Sequence, residues 1–349
     1  MSSTAIKVFT PSGHNLGFGG ILWSEWVKLR SVRSTWWLYG MLVAVTVGLG
    51  ALMSSSHGYD IAELEPEGVQ ALGVFATTVS TDFTALIVSV LAVLFMAGEY
   101  GLGMIGTTLT SVPKRMPALL GKALVFAVAT FAVSTVAVVI AIPLSVAALS
   151  GTGIDIDLGD PFYWRAQLGV VVYLVLIGLM AFAIGAILRS TAGGIAVVLG
   201  ILLAAPIAFG LLTLGSSQMW IQNLQSLLPT ELGEVLFSHP GRWELIAPGA
   251  PMEPPPAGLW AFEPWQAGLL LLAWVIVLLA VAATLLKRRD VWHRPGRGGA
   301  VLPSVIIALA STLSRGQGVE LFTDRSLTGK GVKIWRNRGE ATVSSAEQS

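Results

Sequence analysis

Apolar positions along the chain fall into six long runs, at about 36–53, 83–97, 122–149, 168–188, 193–214 and 266–286, and the stretches between them carry nearly all of the charge. Long runs without polar/apolar alternation predict helices that are apolar on every side, the pattern of membrane spans. The second run is short. The third, at about 1.5 Å per residue, outruns a hydrocarbon core of about 30 Å, so it must tilt, bend or protrude, and Pro143 offers a bend near its outer end. A further apolar piece, 301–313, is too short to span and predicts a second surface helix or a buried segment.

The polar segments divide by sign. Residues 54–82 hold Asp60, Glu63, Glu65, Glu67 and Asp82 and neither Lys nor Arg; the loop with Asp155, Asp157 and Asp160 has Arg165 as its only base; the largest loop, 215–265, has five acids and Arg242. Of the 21 Lys and Arg, 19 lie in the other set: 1–35, 97–122, Arg189 and 287–349. Basic loops face the cytoplasm, so the acidic loops are expected outside and both termini inside. The Pro-rich piece at 248–258 favours extended polyproline geometry. The fold class that follows is an all-α polytopic membrane protein with six transmembrane helices.

Two segments depart from the span-and-loop pattern. Residues 21–37, ILWSEWVKLRSVRSTWW, predict an N-terminal amphipathic helix in the headgroup plane, with Leu22, Trp26, Leu29 and Arg33 on one side and Glu25, Lys28 and Ser31 on another. Trp23, Trp26, Trp36 and Trp37 suit that depth, and Lys28, Arg30 and Arg33 suit anionic headgroups. Residues 97–122 place Glu99, four glycines, a Thr/Ser cluster and Pro113-Lys114-Arg115 between two spans. Irregular backbone of this kind cannot face lipid, so it lies at the membrane surface or inside protein, and it is the expected handle for a partner.

The domain organisation read from this is a disordered tail at 1–20, a six-span domain at 21–290 and a basic, partly disordered cytoplasmic extension at 291–349. The polar first twenty residues predict no cleavable signal peptide. With 349 residues, 54% hydrophobic and 12% charged, the composition is that of a membrane protein.

Composition also narrows the chemistry. Cysteine is absent and the four histidines are scattered, which leaves no ligand spacing for a metal and no thiol chemistry. No GxxxxGK[ST] occurs, so any ATP is handled by another polypeptide. No cofactor, no nucleic acid and no enzymatic activity are expected of this chain. Apart from Lys122, which opens the third, the runs hold no Lys or Arg, and the only acids beside them, Glu99 and Asp82, stand at the ends of the second, which counts against an ion-coupled carrier. Small residues, Gly48, Gly50, Gly193, Gly194 and Gly200 with the Ala181-x-x-x-Gly185 step, allow close helix approach. They serve either a dimer seam through spans one and five or packing inside one subunit.

The order Ser24-Glu25-Trp26-x-Lys28-Leu29-Arg30-Ser31-x-Arg33-Ser34-Thr35-Trp36, then six spans, with Gly98-Glu99-Tyr100, Thr108-Leu109, Pro113, Arg115 and Lys122 after the second, resembles the permease subunits of ABC-2 type ABC transporters, especially actinobacterial ones, over about residues 21–290. The resemblance implies a multi-pass protein of the bacterial plasma membrane. It implies dimerisation with a second copy or a similar permease, and a separate cytosolic P-loop ATPase that drives export. It also implies that the amphipathic helix, the loop after span two and the turn between spans four and five face that ATPase. The coupling residues are then Glu25, Lys28, Arg30, Arg33, Glu99, Lys114, Arg115 and Arg189. Lys114 and Arg115 would lie on a short helix or turn entering an ATPase cleft. Glu99 would pair with a base such as Arg30, Arg33 or Lys122, or reach headgroup water. The extension beyond 290 departs from the family pattern.

Spans without buried charge suit an amphipathic or apolar cargo such as a lipid, a peptide or a drug-like molecule. Two further readings stand beside the exporter: a membrane anchor or sensor that gathers cytosolic partners through its basic tail, and a channel or carrier without ATP, for which Thr77, Thr78, Ser80, Thr81 and Ser89 are a thin polar lining.

Overall fold

A computed structural model describes residues 17–55, 65–101, 115–215, 218–246 and 256–288. Among them there are helices and turns and no strand. The chain divides into Met1–Leu285 and Leu286–Ser349, and the second unit enters the described residues only as the last residues of one helix. The 301–313 segment, the 291–349 extension and the 1–16 tail lie outside the described residues.

Twelve helices are described: α1 Phe18–Ser31, α2 Arg33–Ser55, α3 Pro66–Thr78, α4 Thr81–Gly101, α5 Arg115–Ser150, α6 Pro161–Leu188, α7 Thr191–Leu199, α8 Ala205–Gly215, α9 Met219–Gln225, α10 Pro229–Phe237, α11 Arg242–Ile246 and α12 Pro264–Arg288. Six helical stretches are long and apolar enough to cross a membrane: Arg33–Ser55, Pro66–Gly98, Met116–Ser150, Pro161–Leu188, Thr191–Gly215 and Pro264–Leu286. The protein is a multi-pass membrane protein.

The hub is α6. Eighteen of its 28 residues are buried, on all sides, which is what an apolar helix without a polar face requires. Asp160 caps its start by accepting from the Phe162 N–H at 2.8 Å, with Pro161 in the first turn, where its missing N–H costs nothing. Its glycines let neighbours approach closely. A Cβ on Gly178 would stand 2.8 Å from both Phe126 and Val88, so the Phe126 ring of α5 and the Val88 side chain of α4 pack directly on the α6 backbone. There Phe126 stacks between Phe95 of α4 and Phe182 of α6, with ring centroids 6.1 and 6.3 Å apart. Helix α2 joins α5 through Tyr39, whose hydroxyl lies 2.9 Å from Thr130 Oγ1 in the buried interface.

The fifth span, α7 to α8, is not uniform. A π-helical segment, Gly200–Ala204, separates its halves. Pro206 follows after Ala205 and its ring excludes a bond to the carbonyl four residues back, so a locally widened turn accommodates it. No residue of α8 is buried.

Two acidic segments are more structured than their charge suggested. Residues 66–78, read from the sequence as part of an external loop, form α3, with Ala71, Leu72, Val74 and Ala76 buried. Its apolar residues have helical spacing and its acids are confined to the segment before it and its first turn, which is why charge counted over 54–82 concealed a packed helix. Residues 219–246, read as loop, carry α9, α10 and α11. Helix α10 seats on α6 so closely that a Cβ on Gly233 would lie 2.2 Å from the Tyr173 ring. The following turn is pinned by His239, whose Nδ1 accepts from the Gly241 N–H at 3.0 Å while its Nε2 donates to Asp160 at 2.8 Å. The accepting role of Nδ1 places the proton of the neutral ring on Nε2. Arg165 adds a bond to the Ser238 carbonyl at 2.8 Å.

Candidate functional site

Helix α1 turns a different face inward than its apolar spacing suggested. The buried residues are Ile21, Glu25 and Leu29, whereas Trp26 and Arg33 are exposed. Steps of four residues align Ile21, Glu25 and Leu29 along one side, and Gly121 of α5 opens room for that side: a Cβ there would lie 3.0 Å from Ile21 Cγ2. The indoles of Trp23 and Trp26 are exposed instead.

An acid on the buried side needs compensation, because an unpaired buried carboxylate is costly. Each Glu25 oxygen has its own ammonium. Oε1 accepts from Lys28 Nζ at 2.7 Å, and Oε2 accepts from Lys122 Nζ at 2.9 Å. Glu25 is 3% exposed and Lys122 is 4% exposed. Lys122 Nζ also stands 4.2 Å from the centroid of the Phe95 ring, a cation–π contact. A continuous chain of contacts therefore runs from α1 through Lys122 to Phe95, and through Phe126 and Phe182 into the hub.

The α1–α2 junction is bridged by a side chain. The helix breaks at Val32, which is extended, and Trp36 of α2 donates its indole N–H to the Arg30 carbonyl at 2.9 Å, so the last turn of α1 is tied across the break.

The turn between α6 and α7 lies at the same end of the bundle. Gly185, one turn before it, meets Val93 and Met96 of α4, and a Cβ on Gly194, just after it, would stand 2.6 Å from Val93 Cγ1. Arg189 ends α6 at φ 53°, and its N–H donates to the Gly185 carbonyl at 3.0 Å. Glycine is the usual residue at such a left-handed position. Ser190 then caps α7 by accepting from the Gly193 N–H at 3.2 Å.

The coupling residues read from the sequence are thus partly brought together. Glu25 and Lys28 form the buried network; Arg30 and Arg33 are exposed on the same elbow; Arg189 stands half-buried at the neighbouring turn. The Glu99 and Arg115 side chains, and Lys114 altogether, lie outside the described residues. Lys122 is the partner of Glu25. Sequence reasoning missed that pairing, since 97 residues separate the two, although a lysine opening an apolar run was a visible signal. The seam glycines divide. Gly50 faces Ser145 and Ala76, and Gly194 faces Val93, so both serve packing within the chain; Gly193 adjoins its own cap; Gly48 and Gly200 face open space.

Charge segregates along the bundle. Lys28, Arg30, Arg33, Lys122 and Arg189 gather at one end, while Glu67, Asp82, Asp160, Glu231 and Glu234 lie towards the other. Among the described residues no three His, Cys, Asp or Glu side chains come together as metal ligands. No family model matches the chain, and no curated protein matches it.

Proposed function

We propose that this chain is the membrane-spanning permease subunit of an ABC-2 type transporter in a bacterial plasma membrane, with both termini cytoplasmic. It works as a dimer with a second copy or a similar permease. A separate cytosolic P-loop ATPase hydrolyses the ATP, and the cargo is amphipathic or apolar: a lipid, a peptide or a drug-like molecule moved outward.

The observation that supports this reading is the convergence, at the basic end, of three segments distant in sequence: the α1 elbow, the ends of α4 and α5 that border 102–114, and the Arg189 turn. An ATPase docked there would touch all three at once. The Glu25–Lys122 pair gives its movement a route into the spans, because displacing α1 without α5 would separate buried charges. The aromatic column from Phe95 to Phe182 extends that route to α6, on which α3, α4, α5, α7 and α10 pack.

The test is purification of the tagged chain from its native membranes in mild detergent, with identification of what accompanies it and an assay of ATP hydrolysis. A P-loop ATPase near one-to-one, released by Arg115→Ala, is the expected result. Transport lost in Glu99→Ala and Arg115→Ala with normal insertion would agree with it. A chain that emerges with only non-ATPase partners would replace this reading with that of an anchor or sensor.

A further inference from the structure

A cavity of about 310 Å³ opens between α3 and the start of α4 on one side and α10 and α11 on the other, at the end of the bundle opposite the elbow. Apolar side chains, Phe75, Val79, Phe237 and Ile246 among them, share its walls with Asp82, Glu234, His239 and Arg242. Apolar surface beside placed charged groups is what an amphipathic small molecule needs. The floor and rim are held in place by contacts already described. Gly241 lies so close to α3 that a Cβ there would stand 2.2 Å from the Glu67 carbonyl oxygen, and His239 ties the same turn to Asp160.

The charges in the cavity do not cancel. Arg242 donates to Glu234 at 2.6 Å, which closes that pair. His239, in the tautomer set by Gly241 and Asp160, has both ring nitrogens engaged. Asp82 remains. Among the described residues it makes no hydrogen bond and no ion pair, although it lies within the apolar stretch Pro66–Gly98. Its place in the first turn of α4 suits a negative charge, but that dipole supplies no counter-ion to the face of the carboxylate that opens on the cavity. Asp82 is exposed, so water holds its carboxylate until a ligand of opposite charge replaces it.

We infer that this cavity binds an amphipathic organic cation, whose ammonium pairs with Asp82 and whose apolar body lies against Phe75 and its neighbours. Aromatic faces beside a carboxylate are the recognition chemistry of substituted ammonium groups. The alternatives fit less well. An anion would meet Asp82 with Arg242 already paired. A metal ion would find a single free carboxylate. A neutral apolar molecule would strip water from Asp82 without replacing it. The inference concerns the chain alone and holds with or without an ATPase partner.

The experiment uses the full chain in nonionic detergent, titrated calorimetrically with benzyltrimethylammonium, with phenylacetate as the anion of similar size. The expected result is saturable one-to-one binding of the cation and none of the anion. Asp82→Asn should weaken cation binding at least tenfold. Arg242→Gln should tighten it several-fold, because Glu234 is then also uncompensated. The two variants move affinity in opposite directions, so a loss of folding cannot imitate the pattern, and circular dichroism of each verifies its helices. Absence of saturable binding to the unaltered chain would overturn the site, as would equal affinities in the unaltered chain, Asp82→Asn and Arg242→Gln.

Discussion

Lys122 Nζ and Glu25 Oε2 stand 2.9 Å apart with both side chains buried, one on the helix that opens the third long apolar run and the other on the amphipathic elbow. Glu25→Ala removes the carboxylate that Lys28 and Lys122 share and should lower stability by about 3–5 kcal/mol, read as a fall in melting temperature in detergent; Lys122→Ala leaves Glu25 paired with Lys28 and should cost less. The double variant Glu25→Leu/Lys122→Met should recover much of that loss, since an apolar pair of similar volume needs no compensation. If the double variant also regained full transport, the pair would be structural only and the coupling route through it would be wrong.

Arg189 holds a left-handed backbone that glycine adopts without a Cβ penalty. Arg189→Gly should leave stability unchanged or raise it by up to about 1 kcal/mol. The same variant should lower the ATP hydrolysis stimulated in the complex, because the side chain at the turn is lost. Unaltered stimulation would free Arg189 from any part in coupling.

The glycines offer a paired test of oligomerisation. Gly194→Leu places a side chain where a Cβ already stands 2.6 Å from Val93, so the subunit itself should lose about 1–3 kcal/mol. Gly48→Leu and Gly200→Leu meet open space and should leave the subunit as stable as before. Cross-linking yield in the membrane then reads the seam. A drop with Gly48→Leu or Gly200→Leu at unchanged melting temperature places these glycines in the dimer contact, and an unchanged yield removes them from it.

Asp160 gives a pH prediction. Burial pushes its carboxyl up, but the hydrogen bonds from His239 and from the Phe162 N–H outweigh this and hold it below its ordinary value of 3.8. A carboxyl depressed in the folded state stabilises above the unfolded value and loses that contribution as pH falls through the folded one. Melting temperatures followed from pH 6 downwards should therefore fall in the window below 3.8, and Asp160→Asn should flatten the fall. An identical profile for the variant would assign acid sensitivity to another group.

How much of this was legible without the fold can be followed through particular residues. The six spans were readable because a helix buried in lipid needs an unbroken apolar run, and the run is a property of the chain alone. Charge segregation was readable for the same reason: counting Lys and Arg needs no contacts. Glu25 shows the boundary. Helical spacing put it on the polar side of α1, yet it faces inward, because Lys122 waits there to neutralise it, and no local rule contains a partner 97 residues away. The segment 66–78 shows it again, since the acids at its start outweighed an apolar spacing that only gains meaning when α2, α5 and α6 supply surfaces to bury it.

The sequence by itself determined that this is an all-α, multi-pass protein, and which segments carry basic and which carry acidic side chains, because length, hydropathy and charge are summed along the chain. Tertiary structure alone decided which helix is the hub and which face of the elbow is buried. It also decided that Gly50 and Gly194 are used within the subunit and that Asp82 opens on a cavity where, among the described residues, it makes no hydrogen bond or ion pair. Each of these depends on which surfaces meet, and meeting is set by close packing between distant segments rather than by the properties of any one of them.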